Sequence, residues 1–232
     1  MRKFFFLPLS LPFLILFLLL MLTLFLLFAG TITLAFQKLG LPLPVAYTLF
    51  WASLIGSFIN IPIAETRAYA PILKVREVSF FGIRYPVPYI DWGEQKVVIA
   101  INVGGALVPL SIVTYEFLRF AIMGDTGLIV RMLIAIFVSA ALSKIFSKPV
   151  KGLGIAIPTF IPPLIAASLA LLLGGPNKPA VAYASGTMGV LIGADLLNWS
   201  KIKELGAPMV SIGGAGTFDG IFLAGIIAVL LV

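Results

Sequence analysis

The chain is 232 residues long, 61% hydrophobic and only 11% charged, with a formal net charge of +7. A soluble domain is nearer about 45–50% apolar and about 25% charged, so lipid is the expected solvent for most of this one. It has no cysteine and no histidine, which excludes disulfides, thiol nucleophiles, imidazole triads and zinc sites of the HExxH type. No basic run or RNA-binding aromatic motif accompanies the positive charge, so no nucleic-acid partner is expected. The basic residues sit between hydrophobic segments, where topology signals belong.

Seven segments are long enough, or nearly so, to cross about 30 Å of hydrocarbon: 4–34, 44–63, 97–121, 127–146, 153–174, 180–199 and 209–231. Arg2 and Lys3 precede the first, but its apolar run from Phe4 to Phe28 exceeds the roughly 7–15 residues of a signal-peptide core, so it reads as a retained span. Residues 64–96 form the one sizeable polar connection. Its stretch VREVSFFGIRYPVPYIDW mixes β-formers with turn residues and reads as a short hairpin or an interface-hugging loop, with Tyr85, Tyr89 and Trp92 suited to the headgroup layer. A strand there that pairs with an extended peptide is the alternative. The third span is irregular: Asn102, Gly104, Gly105 and Pro109 either line a cavity or mark close packing with a kink. Glu116 and Asp125 are expected near the outer surface, solvated or paired with Arg119 or Arg131. Pro158, Pro162 and Pro163 predict a kinked fifth span.

Lysine and arginine placement sets the expected orientation. Of 16 such residues, only Lys38, Arg119, Arg131 and Lys178 fall in or near the outer connections, leaving twelve inside. That asymmetry predicts a cytoplasmic N-terminus and an outer C-terminus. The expected fold is all-α: a polytopic transmembrane bundle of about seven spans with a short β-like cytoplasmic loop, one integral domain over residues 1–232 of a cell (inner) membrane. The lipid bilayer is its expected partner. No cofactor or metal is expected, and the oligomeric state stays open.

Two aspartates stand alone in the last two segments, Asp195 in GVLIGADLLNW and Asp219 in GGAGTFDGIFLAG. A carboxylate near the bilayer centre costs roughly 2.5–3.5 kcal/mol on insertion scales. Asp195 is four residues before Trp199, roughly 6 Å from that end of its helix, and Asp219 lies roughly 15 Å into its own if that is helical from Met209. Both therefore fall in the same half of neighbouring antiparallel segments. Ala182, Gly186, Gly189 and Gly193 form a small-residue stripe for close helix contact. Asp195, about 200° round from Gly193, points the other way. The run IGGAG ahead of Asp219 is expected to loosen its helix, as in the broken helices of transporters.

Three roles suit such a pair. Held about 3 Å apart the two cannot both ionise, so one stays charged and the other keeps its proton, the arrangement for aspartyl proteolysis. The same carboxylates can load a proton or sodium ion in a coupled transporter. In a non-catalytic scaffold, Asp195 would bond Asn198 and Asp219 would cap a half-helix. Ser143 and Lys144 do not make a dyad, because adjacent helical residues point about 100° apart. The GDTG at Asp125 lies in a short turn between spans, unlike its counterpart in all-β aspartic proteases.

Through GTMGVLIGADLLN and GAPMVSIGGAGTFDGIFLAGI, the chain resembles an uncharacterised prokaryotic family of small polytopic proteins, a domain of unknown function. More distantly it resembles the GxGD intramembrane aspartyl proteases: presenilins, signal peptide peptidases and prepilin peptidases. In the first two of these, one aspartate follows a tyrosine and the next span carries the second in GxGD. Asp195 matches the first and Asp219 the second, within Gly216-Thr217-Phe218-Asp219. Ala194 replaces the tyrosine and Phe218 the second glycine. The Pro-Ala-Leu element of a later helix has only IPTFIPPL, with Pro162 and Pro163, as a stand-in. The resemblance implies that Asp195 and Asp219 are catalytic towards membrane-spanning peptides. Gly193, Asn198, Gly216, Gly220, Asn102, Pro162 and Pro163 would line the site.

Overall fold

The computed structural model describes residues 11–232 apart from 82, 151–153, 205 and 215–217. Helix α1 (Leu11–Lys38) is built from straight-chain leucines. Its Thr23, Thr31 and Thr33 hydroxyls donate back to carbonyls four residues earlier at 2.7–2.8 Å, so no hydroxyl is left unsatisfied in an apolar setting. Only its second half packs inward, through Ala29, Ile32, Thr33, Ala35 and Phe36. Gly40, at φ +82°, ends it. Pro44 then sits in the first turn of α2 (Leu43–Gly56), where a missing N–H costs nothing.

From Asn60 the chain is a strand. β1 (Asn60–Phe80) and β2 (Ile83–Asn102) pair antiparallel from Asn60↔Asn102 to Phe80↔Ile83. At about 3.3 Å per residue the ribbon runs roughly 65 Å. Phe81 takes φ 51° in the tight turn at its tip. Ala68, Val97 and Ile99 bury the base of the ribbon, whereas Leu73, Val75, Val87 and Ile90 further out are exposed. The exposed pairs Arg67–Glu94, Lys74–Asp91, Arg84–Glu77 and Lys96–Glu65 bridge the two strands.

A π turn (Val103–Leu107) then leads into α3 (Val108–Ile122), and α4 (Thr126–Phe146) follows, N-capped by the Asp125 carboxylate on Leu128 N–H at 2.9 Å. The small hairpin of β3 (Lys148–Val150) and β4 (Gly154–Ala156) precedes α5 (Ile161–Leu173). Helix α6 (Lys178–Val190) starts from a 3-10 turn and runs on through a π turn (Leu191–Asp195) into a 3-10 stretch (Leu196–Glu204). β5 (Met209–Ile212) pairs parallel to β2, giving a sheet ordered β1-β2-β5, and α7 (Gly220–Leu230) closes the fold.

Helix α6 is the hub. Every residue from Ala180 to Val190 except Met188 is buried, against α3, α4, α5 and α7. The glycines make this possible: a β-carbon on Gly186 would stand 2.8 Å from the Ala224 carbonyl of α7, and one on Gly193 would strike the Ala140 carbonyl of α4.

The all-α expectation of seven spans is thus overturned. Among the described residues, four helical stretches are long and apolar enough to cross a membrane: Leu11–Lys38, Val103–Ile122, Thr126–Phe146 and Gly175–Lys201. The other three, Leu43–Gly56, Ile161–Leu173 and Gly220–Leu230, are short. The expected spans 44–63, 97–121, 153–174 and 209–231 each mistook strand for helix at one end, because an apolar run has the same composition in either form. VVIAIN is apolar at every position from Val97 to Ile101, so no period-2 alternation marks it as strand. Pro162 and Pro163 do not kink a span; they occupy the first turn of α5.

Candidate functional site

Asp195 and Asp219 lie at the same end of the bundle, on elements that share one buried apolar cluster. Both are half-buried. Asp195 closes the π turn that ends the regular part of α6. Asp219 is the extended N-cap residue of α7, where its carboxylate accepts from Ile221 N–H at 3.4 Å and its carbonyl from Leu223 N–H at 2.9 Å. That position puts a negative charge on a helix N-terminus, which favours it. The neighbours Ala194 and Ile221 belong to one buried cluster with Ala106, Leu191 and Ile212, and this cluster joins the two aspartate-bearing elements to the start of α3 and to β5.

A second cap faces the first. Asn102 is fully buried at the end of β2, and its Oδ1 accepts from Gly105 N–H at 2.8 Å. Its Nδ2 donates to the Ser57 carbonyl at 2.8 Å and to Asn60 Oδ1 at 3.0 Å. Ser211 Oγ donates to the same Asn60 oxygen at 2.5 Å. Three side chains therefore lock the end of α2, the base of the ribbon and β5 into one frame. Gly105 lies against the Gly213 carbonyl and the Asp219 side chain, so the loop ahead of α7 crosses directly over the start of the α3 stretch. Gly213, at φ +72°, makes that crossing in the left-handed backbone region that favours glycine.

The other expected site residues scatter. Gly193 packs against α4. Asn198 is fully buried, but it does not bond Asp195. Its Nδ2 donates to the Ala194 carbonyl and to Ser147 Oγ, each at 2.8 Å, while its Oδ1 accepts from Lys144 Nζ. This clamp ties the end of α6 to the end of α4 and accounts for Lys144. Gly220 has open space where a β-carbon would go. Gly216 lies outside the described residues. Pro162 and Pro163 are buried at the start of α5. Among the described residues, no three acidic groups converge to hold a metal ion.

Sequence reasoning offered Arg119 as a partner for Glu116, and that pair is present, Arg119 Nη1 standing 3.6 Å from Glu116 Oε2. It missed the burial: Glu116 is 1% exposed, not solvated. Ile112, Val113, Glu116 and Phe120 share the buried stripe of α3 at helical spacing, and that periodicity was the available signal.

Comparison with family models matches residues 54–231 to one described as a protein of unknown function (DUF1614). No curated protein and no solved structure matches the chain.

Proposed function

The chain belongs to the DUF1614 family, whose description carries no activity, and from its geometry we propose that it is an intramembrane aspartyl hydrolase working through Asp195 and Asp219. The single observation behind this reading is that two half-buried carboxylates, on separate elements that share one buried cluster, stand where regular helix stops at the end of an apolar bundle. One carboxylate, ionised, takes a proton from water as the oxygen attacks a peptide carbonyl. The other, protonated, donates to the carbonyl oxygen, and the proton then moves to the leaving amine as the C–N bond breaks. The roles belong to the pair and are not divided further.

Strand β5 supports a peptide substrate. It is an edge of the sheet and lies seven residues before Asp219, so an extended segment added alongside it would run towards the carboxylates. Lys144 lies in the clamp at the aspartate end, and the ribbon that starts there carries Arg67, Lys74, Arg76, Arg84 and Lys96; this bias favours a cytoplasmic face for it in a cell membrane. The experiment is cleavage of a library of single-span peptides in proteoliposomes, read by mass spectrometry. Wild-type protein should give products, and either Asp→Asn variant should give none while remaining folded.

One observation favours a second reading, an ion-coupled carrier. The Val103–Leu107 turn and α7 both begin at the site, as the broken helices of transporters do. Ion-dependent solute flux without peptide products, abolished by the same two variants, would select it.

A further inference from the structure

The end of the bundle remote from the aspartates holds a second polar site. From Gly105 to Glu116 the helix advances roughly 16 Å at about 1.5 Å per residue. There a cavity of about 150 Å³ is bounded by Gln37, Lys38, Glu116, Arg119 and Asn177, where α1 and α3 end and α6 begins.

The wall of this cavity is chemically incomplete. Both Glu116 oxygens are buried and neither receives a hydrogen bond. Arg119 does not fill the deficit: its Nη1 stands 3.6 Å from Glu116 Oε2 and donates to the Leu39 carbonyl at 2.7 Å. The guanidinium is held in that pose, since a β-carbon on Gly40 would lie 3.0 Å from the same nitrogen. Lys38 Nζ, on the same wall, leans on the Val229 and Leu230 carbonyls at 3.4 Å each. A buried carboxylate without donors is costly, and here Arg119 stands beside it without supplying one, with Lys38 elsewhere on the same wall.

A complement must bring N–H donors to Glu116 and negative charge to Arg119 and Lys38. A simple cation would meet both basic groups, and a simple anion would meet the carboxylate. We propose that the cavity binds a small zwitterion, with a primary ammonium against Glu116 and a carboxylate or phosphate against Arg119 and Lys38. A space of about 150 Å³ takes a ligand of roughly six to eight heavy atoms, by comparison with benzene-binding cavities of that volume. A free amino acid and the phosphoethanolamine headgroup of a lipid share this chemistry and this size. The site is independent of the Asp195–Asp219 reading and survives its failure.

The test uses the full chain in detergent, titrated calorimetrically with glycine, serine and O-phosphoethanolamine, and with the trimethylated counterparts glycine betaine and phosphocholine. Hydrogen bonds to a charged group are worth about 1.5–3 kcal/mol, so the primary amines should bind at least about ten-fold more tightly than the quaternary ones. This comparison needs no variant. Glu116→Gln should abolish that preference, and Arg119→Lys should weaken every ligand. Native mass spectrometry from phosphatidylethanolamine and phosphatidylcholine nanodiscs separates the sources. Saturable glycine binding marks a free zwitterion, whereas retention of phosphatidylethanolamine alone marks a headgroup. Equal affinity for primary and quaternary amines, or no binding of any probe at millimolar concentration, overturns the proposal.

Discussion

Gly105 and Asp219 touch across the site: a β-carbon on Gly105 would stand 3.2 Å from the β-carbon of Asp219 and would strike the Gly213 carbonyl. The acidic side chain is therefore positioned by the absence of one on a facing element. Gly105→Ala should push the loop ahead of α7 away from the α3 stretch. Overpacking of this kind costs about 1–3 kcal/mol, read as a lowered Tm in detergent. Activity should fall further than stability does, because the displaced Gly213 carbonyl belongs to the loop that leads to Asp219, whose β-carbon is itself only 3.2 Å from the added carbon. Retention of full activity in a destabilised Gly105→Ala protein would separate Asp219 from the function.

Asn102 makes three hydrogen bonds from a fully buried position, and each holds a different element. Asn102→Ala removes the cap on Gly105 N–H and the bonds to the Ser57 carbonyl and Asn60. The expected loss is about 2 kcal/mol or more, since a cap is worth about 1 and each further hydrogen bond about 0.5–1.5. Ser211→Ala removes one contact to Asn60, which Asn102 still engages, so its loss should be smaller. Chemical denaturation of the two variants beside wild type checks that order.

The outer ribbon should be dispensable for stability. Leu73, Val75, Val87 and Ile90 are exposed, and the ion pairs Lys74–Asp91 and Arg84–Glu77 are open to solvent, where such pairs contribute about 0–1 kcal/mol. Residues Leu73 and Ile90 face each other in register, so Asn-Gly can join them in place of residues 74–89. The shortened protein should unfold within a few degrees of wild type. A collapse in Tm would mean that the ribbon packs on something besides solvent.

The sequence carried the membrane class and the two lone aspartates plainly, because both are matters of composition and isolation. A cap at Asp219 was one of the three roles the sequence left open, and its carboxylate does accept from Ile221 N–H at 3.4 Å. The strands were lost where apolar stretches such as VVIAIN and MVSI adjoin helices, since length measured the run without dividing it. Asn102 was visible as a polar residue in an apolar run, but its three partners come from positions 45, 42 and 3 residues away. Only the folded chain brings those together. The pairing of Glu116 with Arg119 was legible from their spacing, but its burial was overlooked. Its place on the stripe with Ile112 and Phe120 fixes that burial.

The two aspartates differ in a way that mutagenesis can exploit. Asp219 caps α7 through one carboxylate oxygen, whereas Asp195 closes a π turn and is assigned no cap. Asparagine retains an oxygen that accepts from Ile221 N–H, so Asp219→Asn should keep the Tm close to wild type. Alanine has none, so Asp219→Ala should lose about 1 kcal/mol. If the carboxylate only caps, function should follow stability and survive in Asp219→Asn. If it moves protons, both variants should be dead and only the alanine one destabilised. Measuring cleavage or flux together with Tm for the two variants distinguishes these outcomes, and Asp195→Asn should behave as the stable, inactive variant does.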